Sequence, residues 1–249
     1  MSERAKDLSG RRRPSVIVVS HERSGTHFLM NALTAAYGYP RDFLNFDSRD
    51  LNIDYKNPRE VLRVLRLTGE RPRAAMVKSH HAVGFFAPVL DQILERTPIL
   101  YIHRNPVDVM VSFWRFARRW MPAESAHLAT AGAFSVAPPR LTVLRYQMKP
   151  AATMLHRWAD HVDDWVQAAR TRSRLTVVRY ADLDGQYPET VERLSGIVGD
   201  RTGSLDRPGR DTDVVSGAAA IDLPAPDRIA LRAMALERVG DAMRRHGYA

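Results

Sequence analysis

The chain alternates short apolar runs with longer segments of helical period. Pro14–Ser20 carries an unbroken β-branched stretch, the pattern of a strand buried on both faces of a parallel sheet. Ala74–Lys78, Ile99–His103 and Leu175–Arg179 repeat it. Between the first two lie Phe28, Leu29, Met30, Leu33 and Ala36 at helical spacing, closing at Gly38. Asn57-Pro58 then opens a helix with Val61, Leu62, Val64 and Leu65. Asn105-Pro106 opens another through Val107–Trp120, since Asn caps a helix and Pro suits its first position. Met154–Ala169 is amphipathic, and Asp227–His246 carries Ile229, Leu236, Val239 and Met243 as a packing face. Pro122–Pro150 and Asp200–Ala220 show no clear period and read as loops or connectors.

Strands alternating with helices give an α/β fold, a single domain with a central parallel sheet flanked by helices. In such folds ligands sit at the carboxyl ends of the strands. Those ends carry Arg23–Thr26, Lys78–His81, Arg104–Asn105 and Tyr180–Asp182. Four polar strand ends meeting at one edge predict an active site.

Composition narrows the classes. The 249 residues hold 45% apolar and 26% charged side chains, ordinary globular values. No apolar stretch approaches the ~18 residues of a membrane span. The chain does not start like a secretory leader, and a cytoplasmic location is expected. The absence of cysteine removes disulfides, thiolate catalysis and iron–sulfur or zinc-thiolate sites. Lys and Arg number 37 against 28 Asp and Glu, and Lys6, Lys56, Lys78 and Lys149 are the only lysines. A lysine in so arginine-biased a chain draws attention. Residues 1–13 hold Arg4, Lys6 and Arg11–Arg13 against Glu3 and Asp7 and read as a basic flexible tail before a domain over 14–249. The remaining positive charge is dispersed, which suits a compact anion pocket better than nucleic acid.

The loop His21-Glu-Arg-Ser-Gly-Thr-His27 joins the first strand to the first helix. Gly25 allows close approach of an anion, free N–H groups follow at a helix start, and Arg23, Ser24 and Thr26 add a cation and hydroxyls. It is not a Walker A loop, which needs a leading Gly and a Lys after the second Gly. The string Arg104-Asn-Pro-Val-Asp-Val-Met-Val-Ser112 places Arg104 at a strand end and Ser112 within the next helix, both in reach of one phosphate.

Together these strings resemble those of the sulfotransferases that use 3′-phosphoadenosine 5′-phosphosulfate (PAPS). That family's first loop, P-K-S-G-T-x-W, corresponds to Glu22-Arg-Ser-Gly-Thr-His-Phe28. Its R-N-P-x-D-x-x-V-S string is matched at every fixed position. Lys78-Ser-His80 resembles K-T-H, Tyr180-Ala-Asp-Leu183 resembles Y-E-D-L, and Arg207-Pro-Gly209 with Arg210–Asp213 resembles R-K-G-x-x-G-D. The resemblance runs from about Ser15 to about Asp213. It implies a P-loop-like core and sulfuryl transfer to a hydroxyl or amine of a small-molecule acceptor, releasing adenosine 3′,5′-bisphosphate (PAP), with no metal. It implies His80 as general base and Lys78 and Arg23 as leaving-group contacts. Arg23, Ser24, Gly25, Thr26, His27 and Phe28 would hold the phosphosulfate side. Arg104, Ser112, Arg207 and Gly209 would hold the 3′-phosphate, and Tyr180 the adenine. This chain departs from the pattern at Arg23 for Lys, Phe28 for Trp, Pro208 for Lys and Thr212 for Gly.

A nucleotide-dependent kinase or phosphotransferase with a degenerate phosphate loop is the alternative, and a non-catalytic anion or nucleic-acid binder the third reading. His156 and His161 are five apart on a helix and point to different faces, so they do not read as a metal pair. His103, Trp114, Trp120, Trp158 and Trp165 read as core. The acceptor-facing segments are expected in Arg41–Tyr55 and Pro122–Pro150. Phe43, Phe46, Phe85, Phe86 and Phe134 form either an apolar acceptor pocket or core. The acceptor's identity and the oligomeric state stay open.

Overall fold

The computed structural model describes residues 13–45, 57–69, 74–209 and 223–249. Strand β1 (Val16–Ser20) runs into α1 (Thr26–Tyr37), followed by a two-residue strand β2 (Leu44–Asn45) and α2 (Pro58–Gly69). Strand β3 (Met76–Ser79) leads to two short helices, α3 (Val83–Phe86) and α4 (Leu90–Leu94). Strand β4 (Ile99–His103) feeds α5 (Pro106–Trp120), then α6 (Pro122–Ser125), α7 (Ala131–Val136) and a 3-10 helix over Leu141–Tyr146. Helix α8 (Met154–Ala169) precedes β5 (Leu175–Arg179). Helices α9 (Tyr180–Gly185), α10 (Tyr187–Glu192), α11 (Ser195–Val198) and α12 (Ala225–Arg245) complete the described chain.

The five strands are parallel in the order β2-β3-β1-β4-β5. Val16 to Val19 of β1 are wholly buried, because successive side chains point to opposite, equally covered faces. Val16 and Val18 pack with Leu29, Met30 and Leu33 of α1. Ile17 and Val19 pack with Val61, Phe86 and Trp165 on the other face. Each such aliphatic side chain contributes about 1.5–3 kcal/mol by leaving water. A third cluster joins α5, α7, α8 and α12 beyond the sheet edge.

Register fixes where the loops emerge. Val19 pairs with Ser79, Ser20 with Ile102, and His103 with Arg179, so four strand ends lie side by side. Helix α5 starts where Asn105 Oδ1 accepts from the Val107 amide at 2.9 Å, with Pro106 in the first turn. Asp108 near its start and Arg118 and Arg119 near its end complement the helix dipole. Thr153 caps α8 in the same way, accepting from the His156 amide.

Several expectations are revised. Pro122–Pro150 is not irregular: α6, α7 and the 3-10 helix fill most of it. Arg13, counted with the tail, is only 4% exposed, lies over the Tyr37 and Tyr39 rings and donates to the Asp200 carbonyl at 2.7 Å. Trp158 and Trp165 are fully buried and Trp114 is half-buried, but Trp120 is 60% exposed at the end of α5. Residues 1–12, Phe46 with the rest of 46–55, and Arg210–Asp213 lie outside the described residues. No described helix is long and apolar enough to cross a membrane.

Candidate active site

The loop after β1 takes its shape from two left-handed residues, Arg23 with φ 66° and Gly25 with φ 101°. Gly25 is required twice over: a Cβ there would also lie 2.4 Å from Tyr180 Cδ2. Ser24 Oγ is buried without a hydrogen-bond partner among the described residues, and so is Arg104 Nε one loop away. Buried polar atoms without a hydrogen bond are uncommon, and these two lie in loops that leave the carboxyl ends of neighbouring strands. Arg104 Nε does have an ion pair, at 3.6 Å, with Asp108.

Arg23 reaches across the loop: its Nε donates to Ser112 Oγ at 3.1 Å, and its guanidinium lies 5.2 Å from the Phe116 ring centre. Lys78, near the end of β3, lies 5.7 Å from the Phe43 ring, and His27 packs edge-on against that ring at 5.4 Å. Burial, then the charges of Lys78 and Arg23, lower the His27 pKa to about 4. Both cations thus act on the first turn of α1.

His80 follows β3 directly and is 8% exposed. Its Nδ1 lies 3.0 Å from the Ser20 carbonyl, which only accepts, and 3.3 Å from Ser20 Oγ, and the shorter carbonyl contact favours the proton on Nδ1. Nε2 is left with the lone pair. Burial and then Lys78 hold its pKa well below the ordinary imidazole value, so the ring is neutral at pH 7. The neighbouring His81 differs. Its Nδ1 pairs with Ser79 Oγ at 2.9 Å, and its ring stacks on Phe85 at 4.1 Å, directed into the core. Tyr146, from the 3-10 helix, stands 5.6 Å from the His80 ring.

Glu22 is 8% exposed and meets the buried Arg157 of α8 through two parallel bonds of 2.8 and 2.7 Å. Burial would raise the Glu22 pKa, but the charge and hydrogen bonds of Arg157 outweigh it and hold the carboxylate ionised. Arg157 Nη1 also donates to His21 Nε2 at 2.7 Å. Sequence reading singled out neither residue as a functional partner. The available signal was a carboxylate inside an anion-binding loop, which demands a nearby cation.

On the far side of the edge the Arg104 guanidinium stacks 4.2 Å over the Tyr180 ring. Phe28 lies 5.7 Å from Tyr180 and stacks on Tyr187 at 6.0 Å. Arg207 covers the other end, 5.2 Å over Phe28, and pairs with Asp184. Gly209 ends the described part of that segment. The structure therefore brings together Arg23, Ser24, Gly25, Thr26, His27, Phe28, Lys78, His80, Arg104, Ser112 and Tyr180, with Arg207 at the Phe28 end. Among the described residues, the phenylalanines read as either acceptor pocket or core do not gather in one place. Phe43 alone of the described phenylalanines lies beside Lys78, while Phe85 and Phe86 pack in one core cluster and Phe134 in another. His156 and His161 diverge, the first pairing with Thr153 and the second with Tyr101.

Residues 13–207 match the model of the sulfotransferase domain, well over half of the chain, which therefore belongs to the sulfotransferase family. Solved structures share the fold. A mouse sulfotransferase, SULT7A1, complexed with PAP superposes with a TM-score of 0.60 at 16% identity, covering 93% of this chain and 84% of that one. Retinol dehydratase in a complex with retinol and PAP gives 0.56 at 16% identity, over 93% and 82% of the two chains. A sulfotransferase from Alicyclobacillus acidocaldarius gives 0.50 at 17% identity, over 93% and 95%. Comparison with curated protein sequences gives no match.

Proposed function

We propose that this sulfotransferase-family enzyme moves the sulfuryl group of PAPS to a hydroxyl, or an amine, of a small-molecule acceptor and releases PAP, with His80 as general base. The observation that supports this reading is the 3.0 Å contact of His80 Nδ1 with the Ser20 carbonyl. The Ser20 carbonyl accepts a hydrogen bond from Nδ1, which leaves the Nε2 lone pair to act as the base. PAPS supplies the activated sulfuryl group. That the mouse sulfotransferase and retinol dehydratase structures hold PAP supports this donor.

In this reading Ser24 Oγ and the free amides after Gly25 receive the phosphosulfate at the N-terminus of α1. The Arg104 fork and Ser112 take the 3′-phosphate, and Tyr180 and Phe28 flank the adenine. His80 Nε2 accepts the acceptor's proton as the new S–O or S–N bond forms and the S–O bond to phosphate breaks. Negative charge grows on the departing phosphate, where Lys78 and Arg23 stabilise it. The acceptor approaches from the side of Phe43 and Tyr146, the aromatic rings nearest Lys78 and His80.

Calorimetric titration with PAP, and with ADP and with ATP plus magnesium for comparison, tests the donor site. Binding of PAP at micromolar or lower concentration with much weaker ADP is expected. A magnesium-dependent preference for ATP would replace this reading with phosphoryl transfer.

A further inference from the structure

Helix α8 has a polar inner face. Arg157, His161 and Trp165 recur at a spacing of four, with Trp158 beside them, and all four are buried. Burying an arginine and a histidine costs desolvation that leucines in a packing helix would avoid. Each of these donors ends on a loop of the active-site edge. Arg157 donates to Glu22 and His21 in the loop after β1. The Trp158 indole N–H donates to the Arg104 carbonyl at 3.1 Å. His161 Nε2 lies 3.2 Å from the His80 carbonyl, and the Trp165 indole N–H donates to the His81 carbonyl at 3.1 Å. His161 must carry its proton on Nε2, because its partner there is a carbonyl, and its Nδ1 then accepts from Tyr101 Oη at 2.9 Å.

We propose that α8 is the positioning element of the site, one helix face whose Arg157, Trp158, His161 and Trp165 hold the phosphosulfate loop, the Arg104 loop and the base loop in mutual register. The inference rests on the sulfuryl-transfer reading for what those loops bind, but not for how they are held. His80 is gripped at two points, its ring by the Ser20 carbonyl and its own carbonyl by His161. Loss of the second grip frees the backbone to turn and the ring to leave Ser20. The helix divides its work by position. Arg157 and Trp158, nearer its N-terminus, meet the nucleotide loops, and His161 and Trp165, further along, meet the base loop.

The test uses the full-length protein with four substitutions: His161→Gln, His161→Leu, Trp165→Phe and Arg157→Lys. Gln retains a donor near the place of Nε2, whereas Leu removes it. Histidine-labelled protein is followed by nitrogen-15 NMR for the tautomer and titration of His80, and PAP affinity is measured by calorimetry. In the wild type the His80 proton is expected on Nδ1. His161→Leu is expected to mix the tautomers and move the titration of His80 toward 6.5, His161→Gln to restore the wild-type signal, and Trp165→Phe to give a weaker version of the Leu effect. PAP affinity should change less than about twofold in these three and fall about 10- to 100-fold in Arg157→Lys, by analogy with residues that orient metal ligands.

A purely structural helix would lower the melting temperature of all four variants and leave the His80 signals and the PAP affinity of the folded protein unchanged; that result overturns the proposal. So does a wild-type His80 signal in His161→Leu. If His161→Leu does not fold, Trp165→Phe, which keeps most of the ring, decides the base-loop arm: an unaltered His80 there overturns the proposal. Failure of the wild type to bind PAP would instead overturn the sulfuryl-transfer reading, and the His80 signals would still decide the role of α8.

Discussion

Arg23 and Ser112 stand 89 positions apart in the chain, yet the Nε of one donates to the Oγ of the other at 3.1 Å. The bond ties the loop after β1 to the second turn of α5. The two residues assigned to opposite ends of the nucleotide are therefore not independent: whatever Ser112 binds also orients Arg23. Ser112→Ala is expected to weaken PAP binding and sulfuryl transfer together, each by about 10-fold or more, the worth of a hydrogen bond to a charged group. Arg104→Ala should chiefly weaken PAP binding. Calorimetry with steady-state kinetics separates them, and a Ser112→Ala enzyme with unchanged kcat would break the link to Arg23.

His80 has its pKa lowered by burial and by Lys78, so it is already in the basic form throughout the neutral range. The ordinary acid limb near 6.5 should be absent from kcat/KM, and activity should decline only at more acidic pH. His80→Ala should cost about 100- to 10,000-fold in turnover, the span of a positioned general base, while PAP still binds. A half-loss of kcat/KM at pH 6.5 would mean an imidazole exposed to solvent.

Gly25 admits no side chain. Its φ of 101° disfavours any L-residue, and a Cβ would meet Tyr180 Cδ2 at 2.4 Å. Gly25→Ala must displace the Tyr180 ring, which also carries the Arg104 guanidinium. PAP affinity should drop by about 10-fold or more, since a group held 1 Å out of place is costly in such sites. Wild-type affinity in Gly25→Ala would show that the ring yields freely.

The parts legible in the sequence were those set by local pattern. Ile99–His103 and Leu175–Arg179 are strands over the expected residues, because an apolar run between polar breakers has one stable use in a parallel sheet. Asn105-Pro106 starts α5 where cap chemistry says it must. Trp120 was misplaced because its type suggested burial, whereas the buried stripe through Phe113 and Ala117 continues at spacing four to Met121. The pairing of Glu22 with Arg157 was illegible because it spans 135 positions and has no local period. The helices of Pro122–Pro150 were hidden by their brevity: four to six residues give too few repeats to reveal a period.

Glu22 and Arg157 form a buried pair whose parts fare worse alone than together. Glu22→Gln leaves the Arg157 charge in a site just 3% exposed, and breaking such a pair costs about 3–5 kcal/mol. The urea midpoint should fall accordingly. Replacing both by leucine should return much of the stability, since a hydrophobic pair often matches a buried ion pair. It should not return PAP affinity, because the loop then lacks its fork. Full recovery of PAP binding in the double variant would make the pair a packing feature alone.

Acid should unfold this protein early. Burial, followed by neighbouring histidines, arginines or Lys78, lowers His103 and His161 to about 3 and His27 to about 4, and places His21 and His80 well below the ordinary value of 6.5. Above pH 6.5 these rings are neutral in both states and cost nothing. Below it the unfolded chain takes up a proton on each while the native chain does not, so stability is lost as pH falls. Each histidine whose ring stays neutral in the native chain removes about 1.4 kcal/mol per pH unit below 6.5. Several such losses add up against a typical domain stability of about 5–15 kcal/mol. Urea midpoints measured from pH 8 to pH 5 should be flat down to about 6.5 and then fall steeply. His103→Phe removes one of these rings, together with the pairing of its Nδ1 to Tyr248 Oη at 2.9 Å, and should make the acid slope shallower by one proton even where it lowers the neutral plateau. Equal stability at pH 7.5 and 5.5 would mean that these imidazoles take up their protons inside the folded chain.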